Sequence, residues 1–167
     1  MTPRVLVVDD KENMRKLLAR ILADGYAVEE AEDGARALSL VATRPFDVVV
    51  TDIRMPGADG FELLAAVKAR APDTEVVMMT GYATVADAVR AMKLGAFDYL
   101  EKPFDPDAAL GVVARAAERK RQGDAAREAA GPGPAEAFHN LIGKSPPMRE
   151  AFALLERAAG LDITVLL

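Results

Sequence analysis

Five residues with charged or reactive side chains stand where short apolar runs stop. Asp9 and Asp10 follow Val5–Val8, Asp52 follows Val48–Val50, Thr80 follows Glu75–Met79, and Lys102 follows Phe97–Leu100. If these runs are strands of one parallel sheet, all five side chains gather at its carboxyl edge, where open α/β sheets place their chemistry. Three carboxylates in one pocket repel each other and hold protons more tightly unless cations compensate. Lys102 offers one compensating charge, and a divalent ion would supply more. Magnesium suits such a set, because it takes oxygen ligands, keeps waters, and binds through one or two carboxylates plus a phosphate. An aspartate left as nucleophile beside Mg2+ can take a phosphoryl group and become an acyl phosphate. Lys102 and the Thr80 hydroxyl would then hold the phosphoryl oxygens. The same residues also fit a structural ion-pair cluster or a calcium site, and Asp52 alone fits a turn or a helix cap. Three buried carboxylates without a task would be costly, which favours the chemical reading.

The intervening segments carry the spacing of helices. Met14, Leu17, Leu18, Ile21 and Leu22 repeat as one face of a helix packed against something, with Gly25 as a candidate left-handed residue just past its end. Tyr26 to Glu30 reads as a weaker second strand. Asp33 can cap a second helix through Leu38 and Val41, which Pro45 closes off. Phe61, Leu64 and Val67 mark a third helix ending near Ala71-Pro72. Val85, Ala88, Val89 and Met92 form the stripe of a fourth, ended by Gly95. Asp105-Pro106 pairs an N-cap with proline at the first helical position, and Leu110, Val113, Ala114 and Ala117 supply the apolar side of a fifth helix. Strand and helix alternating five times predicts a doubly wound α/β fold: five parallel strands with helices on both faces.

Beyond that helix the seam would fall on Lys120 or Arg121, Asp124, and Arg127 or Glu128, all charged, so a long coiled coil is poorly supported. Alanine in residues 124–130 can still keep them helical. Gly131-Pro132-Gly133-Pro134 predicts a linker. A helix opening at Ser145-Pro146 and a strand over Ile163 to Leu167 are expected after it. The predicted divisions are 1–120, 121–137 and 138–167.

Composition narrows the field further. The chain has 167 residues, no cysteine and one histidine, His139, which excludes disulfides, thiol nucleophiles and multi-histidine metal sites. His139 reads as a surface residue. A net charge of −5 argues against nucleic-acid binding by this segment. No signal peptide or membrane span is apparent, so a cytoplasmic chain without membrane contact is expected.

Residues 1–120 resemble the receiver domain of bacterial two-component response regulators. The resemblance rests on Asp9-Asp10, Asp52 with Met55-Pro56 and Asp59-Gly60, Thr80-Gly81, and Tyr99 with Lys102-Pro103. It implies a five-stranded sheet in flavodoxin-like order 2-1-3-4-5, and it implies that Asp52 accepts phosphate from a sensor histidine kinase. It implies that Asp10, Asp52 and the backbone carbonyl of Arg54 ligate magnesium, with Asp9 acting mainly through water, and that the Lys102-Pro103 bond is cis. It further implies a switch: Thr80 moves toward the phosphorylated Asp52, Tyr99 turns into the vacated space, and the face of the fourth helix, fifth strand and fifth helix changes shape. A homodimer whose geometry responds to phosphorylation is the expected output.

Residues 138–167 resemble the opening of the AAA+ ATPase module of sigma-54-dependent activators, through Leu141-Ile142-Gly143-Lys144-Ser145-Pro146, Met148-Arg149-Glu150 and Asp162 to Leu167. The nucleotide-binding loop of that module lies beyond these residues. Contact with sigma-54 RNA polymerase and DNA is therefore expected only through parts of a full-length protein outside this chain. Gly143-Lys144-Ser145 imitates a phosphate loop, but that motif needs glycine where Phe138 stands. An aspartyl-phosphate phosphatase of haloacid-dehalogenase type is the competing expectation. Such enzymes carry a second aspartate two residues after the nucleophile, and here that position is Arg54.

Overall fold

A computed structural model of the chain describes residues 2–57, 59–81, 84–130, 137–138 and 141–142. Strands β1 (Arg4–Val8), β2 (Ala27–Ala31), β3 (Val48–Asp52), β4 (Glu75–Thr80) and β5 (Asp98–Glu101) alternate with helices α1 (Glu12–Leu22), α2 (Gly34–Thr43), α3 (Gly60–Arg70), α4 (Val85–Lys93) and α5 (Pro106–Ala130). The five strands pair in parallel, in the order β2-β1-β3-β4-β5. This is the predicted doubly wound order.

The apolar runs are continuous because the sheet is covered on both faces. Leu6, Val8, Val49, Val76 and Met78 point to one side, where α2, α3 and α4 cover them through Ala37, Leu40, Leu64, Val67 and Ala91. Val5, Val7, Val48, Val50, Val77 and Met79 point to the other, under Leu18 and Leu22 of α1 and Val113 and Ala116 of α5. Every residue of β3 and β4 is buried, so the two strands that end in Asp52 and Thr80 run through the middle of the core.

Several starts and stops follow the sequence. Asp33 accepts a hydrogen bond from the Arg36 amide, and Asp105 accepts one from Asp107 ahead of Pro106. Asp59 and Glu62 form a reciprocal capping box on α3. Gly95 follows α4 with φ +90°.

Other expectations need correction. Gly25 is not left-handed: the amides of Gly25 and Tyr26 both reach the Leu22 carbonyl, which closes the turn without a positive φ. The helix stripes are turned from where periodicity put them. Leu17 is 46% exposed, and on α4 Val85, Val89 and Met92 are 84%, 46% and 54% exposed, leaving Ala91 as the buried residue. On α5, Leu110 and Ala114 lie outside, while Ala109, Val112, Val113, Ala116 and Ala117 are buried. Periodicity shows which residues share a face; the sheet decides which way that face turns.

Residues 1–123 form one compact unit and residues 124–167 another. In the second, the last turns of α5 and an antiparallel pair, β6 (Ala137–Phe138) with β7 (Leu141–Ile142), are described. The expected linker at Gly131 to Pro134, the helix from Ser145 and the strand to Leu167 lie outside the described residues.

Candidate phosphoacceptor site

The sheet register sets the site. Val8 pairs with Thr51, Asp52 with Met79, and Thr80 with Glu101, so the strands end level with one another. Asp9 continues the ladder past β1, its amide donating to the Ala31 carbonyl at 3.3 Å. The Lys102 amide donates to the Thr80 carbonyl at 2.6 Å, which carries the β5 pairing one residue further. The Lys102–Pro103 peptide bond is cis. From there the Lys102 side chain crosses toward β3 and β1. Its Nζ lies 2.6 Å from Asp9 Oδ2 and 3.0 Å from Asp52 Oδ2.

The surroundings of the three aspartates differ. Asp9 is fully buried, and its other carboxylate oxygen accepts from the Lys11 amide at 2.9 Å. Asp52 is 6% exposed and Asp10 is exposed. One ligand oxygen from each lies within 4.8 Å of the others, the geometry of an acidic pocket. Arg54 is exposed on the loop after β3. With Asp10, Asp59, Phe61, Asp87 and Arg90 it lines an open cleft of about 580 Å³ beside the pocket. Arg90 lies over the Phe61 ring, 4.1 Å from its centroid, and so bridges α4 to α3 across that cleft.

Gly60 closes α3 onto the site. A Cβ at this position would sit 2.3 Å from the Asp52 carbonyl oxygen and 2.8 Å from Ile53 Cα. Only a residue without a side chain lets the helix start this close to the strand end.

Thr80 is buried at the end of β4. Tyr99, one strand over, packs against the α2–α4 side of the core, and its hydroxyl oxygen is buried without a well-formed hydrogen bond. Burial pushes its phenol above the ordinary value, and the neighbouring Thr80 side chain offsets part of the rise. Burial raises Tyr26 as well. An unfolded tyrosine ionises near pH ~10, so over the interval above that value the folded chain holds more protons than the unfolded one. Stability is then expected to be unaffected at lower pH and to fall as the pH rises through ~10 toward the folded-state values. The ultraviolet phenolate signal should show two late-titrating tyrosines, one of them lost in Tyr99→Phe. Simultaneous ionisation of every phenol at the ordinary value would contradict this.

The structure thus brings Asp9, Asp10, Asp52 and Lys102 together, with Thr80 on the strand end beside Asp52 and Tyr99 next to Thr80. Two contributors escaped the sequence: the Lys11 amide, and Arg15, whose guanidinium donates to the Asp9 carbonyl at 2.7 Å. A backbone amide carries no sequence signal, and an arginine on a helix reads as solvated.

The model of the response regulator receiver domain family matches residues 5–114, a stretch that contains every one of these side chains. The chain belongs to this family. The receiver chain is 39% identical over 164 residues to the DNA-binding transcriptional regulator NtrC of Escherichia coli (strain K12), covering 98% of this chain and 34% of that protein. It is 36% identical over 168 residues to the response regulator protein FleR of Pseudomonas aeruginosa, covering 100% of this chain and 33% of that one. The chain therefore spans about a third of the length of these curated relatives. Among solved structures, chemotaxis protein CheY4 of Vibrio cholerae superposes with a TM-score of 0.66 at 34% identity, over 70% of this chain and 99% of that one. NtrX from Brucella abortus, solved in complex with ADP, superposes with a TM-score of 0.72 at 33% identity, over 95% of this chain and 34% of that one. Among the described residues no helix is long and apolar enough to cross a membrane.

Proposed function

We propose that this receiver is a phosphorylation-driven switch whose Asp52 accepts a phosphoryl group from a sensor histidine kinase. One observation carries the reading: the Lys102 ammonium bridges Asp9 and Asp52 while Asp10 stands beside them, with no cationic partner of its own among the described residues. Three carboxylates against one ammonium leave a pocket of oxygen donors two negative charges in excess, which fits a magnesium ion. Asp10, Asp52 and the Arg54 backbone carbonyl would hold it, with Asp9 acting through water. When bound, the ion supplies positive charge to the phosphoryl oxygens. An Asp52 carboxylate oxygen forms the new bond to phosphorus as the donor's phosphorus–nitrogen bond breaks, and the leaving imidazole takes a proton. Lys102 and the Thr80 hydroxyl donate to the phosphoryl oxygens. The chain's own chemistry is confined to gaining the group and slowly losing it.

The group gained is bulkier than the carboxylate and carries more negative charge. Thr80 moves to it, Tyr99 follows, and the surface of α4, β5 and α5 shifts between two states already present. The exposed Val85, Val89 and Met92 lie on that surface. A homodimer responding at this face is the proposed output. We assign residues 1–120 to the receiver, 121–137 to a connector and 138–167 to the start of an AAA+ module. In a full-length cytoplasmic activator that module would act on sigma-54 RNA polymerase at DNA.

Amide NMR spectra recorded before and after adding a small-molecule phosphoryl donor and magnesium test the switch. Shifts concentrated at Thr80, Tyr99 and α4 are expected, together with a change in sedimentation. Shifts confined to the immediate neighbours of Asp52, with an unchanged monomer, would contradict it.

A further inference from the structure

Asp10 is the most exposed of the three carboxylates, and among the described residues no hydrogen bond or ion pair holds its side chain. Asp9, by contrast, is fixed at every polar group. Its amide reaches Ala31, one carboxylate oxygen takes the Lys11 amide and the other takes Lys102. Its carbonyl accepts from Arg15 Nη1 at 2.7 Å. That carbonyl belongs to the peptide joining Asp9 to Asp10, so its orientation sets the direction in which the Asp10 side chain leaves the backbone. The arginine is itself held. Its side chain is 13% exposed on α1, and its Nε lies 3.6 Å from Glu30 at the end of β2. A largely covered guanidinium with an ionic contact on one side and a charge-assisted hydrogen bond on the other is a stiff strut.

We propose that Arg15 is a positioning residue for the divalent-cation site, acting through the Asp9–Asp10 peptide to aim the Asp10 carboxylate at Asp52. The inference rests on the magnesium reading above. It predicts that Arg15→Met, which keeps the aliphatic stem, weakens magnesium binding by about tenfold, as loss of an outer-shell partner does. Because the effect runs through Asp10, the same change in an Asp10→Asn background should leave the residual affinity unaltered.

The experiment is a magnesium chloride titration of the full chain, followed by amide NMR shifts without any phosphoryl donor, for wild type, each single variant and the double variant. A tenfold loss in Arg15→Met that vanishes in the Asp10→Asn background supports the proposal. An unchanged affinity in Arg15→Met, or the same loss in both backgrounds, overturns it while leaving the magnesium site intact. Failure of the wild type to bind magnesium overturns the functional reading itself. Should Arg15→Met not fold, Glu30→Gln loosens the strut from its outer end, and a loss of about threefold is expected from one weakened polar contact. An unchanged affinity in Glu30→Gln would then overturn the proposal.

Discussion

Gly60→Ala is expected to destabilise the receiver by about 3 kcal/mol or more, at the upper end of what overpacking a close contact costs. The added methyl would lie 2.3 Å from the Asp52 carbonyl oxygen and 2.8 Å from Ile53 Cα, and both are backbone atoms of the strand end and the loop that follows. Neither can swing away as a side chain would. Relief requires α3 to back off, which breaks the hydrogen bond from the Gly60 amide to the Ile53 carbonyl at 2.9 Å and disturbs the capping box behind it. The same movement drags the loop carrying Arg54, so magnesium affinity should fall together with stability. Thermal unfolding and a magnesium titration of the variant check both effects. Native stability in Gly60→Ala would show that α3 is free to move away from β3.

Lys102→Met should cost about 3 kcal/mol at neutral pH, the usual result of removing one partner from a buried ion pair. Asp9 is fully buried and Asp52 nearly so, and Lys102 is the ammonium that contacts both. Without it a bound metal ion is the cation left to balance them. The deficit is therefore expected to shrink on adding magnesium, because the uncompensated carboxylates bind the cation more tightly and mass action then favours the folded chain. Denaturant unfolding at neutral pH, with and without magnesium, reads both changes. A variant as stable as wild type throughout would mean that the pocket is already neutralised by other groups.

Much of this site was legible because its residues end strands. A β-branched run followed by a polar residue needs only the parallel topology to place that residue on the carboxyl edge. Asp52 and Thr80 are the last residues of their strands and stand in the register, while Asp9, Asp10 and Lys102 come directly after theirs. Asp33 and Asp105 were equally plain, since a cap is a local interaction. What escaped depends on tertiary placement. Val85, Val89 and Met92 are spaced as a buried stripe yet face outward, because α4 touches the sheet through Ala91, and alanine carries little weight in any apolar pattern. Leu110 fails for the same reason, since α5 packs partly through Ala109, Ala116 and Ala117, whereas Leu17 flanks a face already filled by Leu18 and Leu22. Arg15 looks like any charged helical residue until the fold brings the Asp9 carbonyl to its tip. Gly60 is visible in the chain, but the reason for it is a distance to another element.

Intact mass after incubation with a small-molecule phosphoryl donor and magnesium, wild type beside Asp52→Asn, tests the central claim most directly. A gain of one phosphoryl group in the wild type, absent from Asp52→Asn and abolished by a magnesium chelator, is the predicted result. No gain at any magnesium concentration, or an equal gain in Asp52→Asn, would contradict Asp52 as the phosphoacceptor.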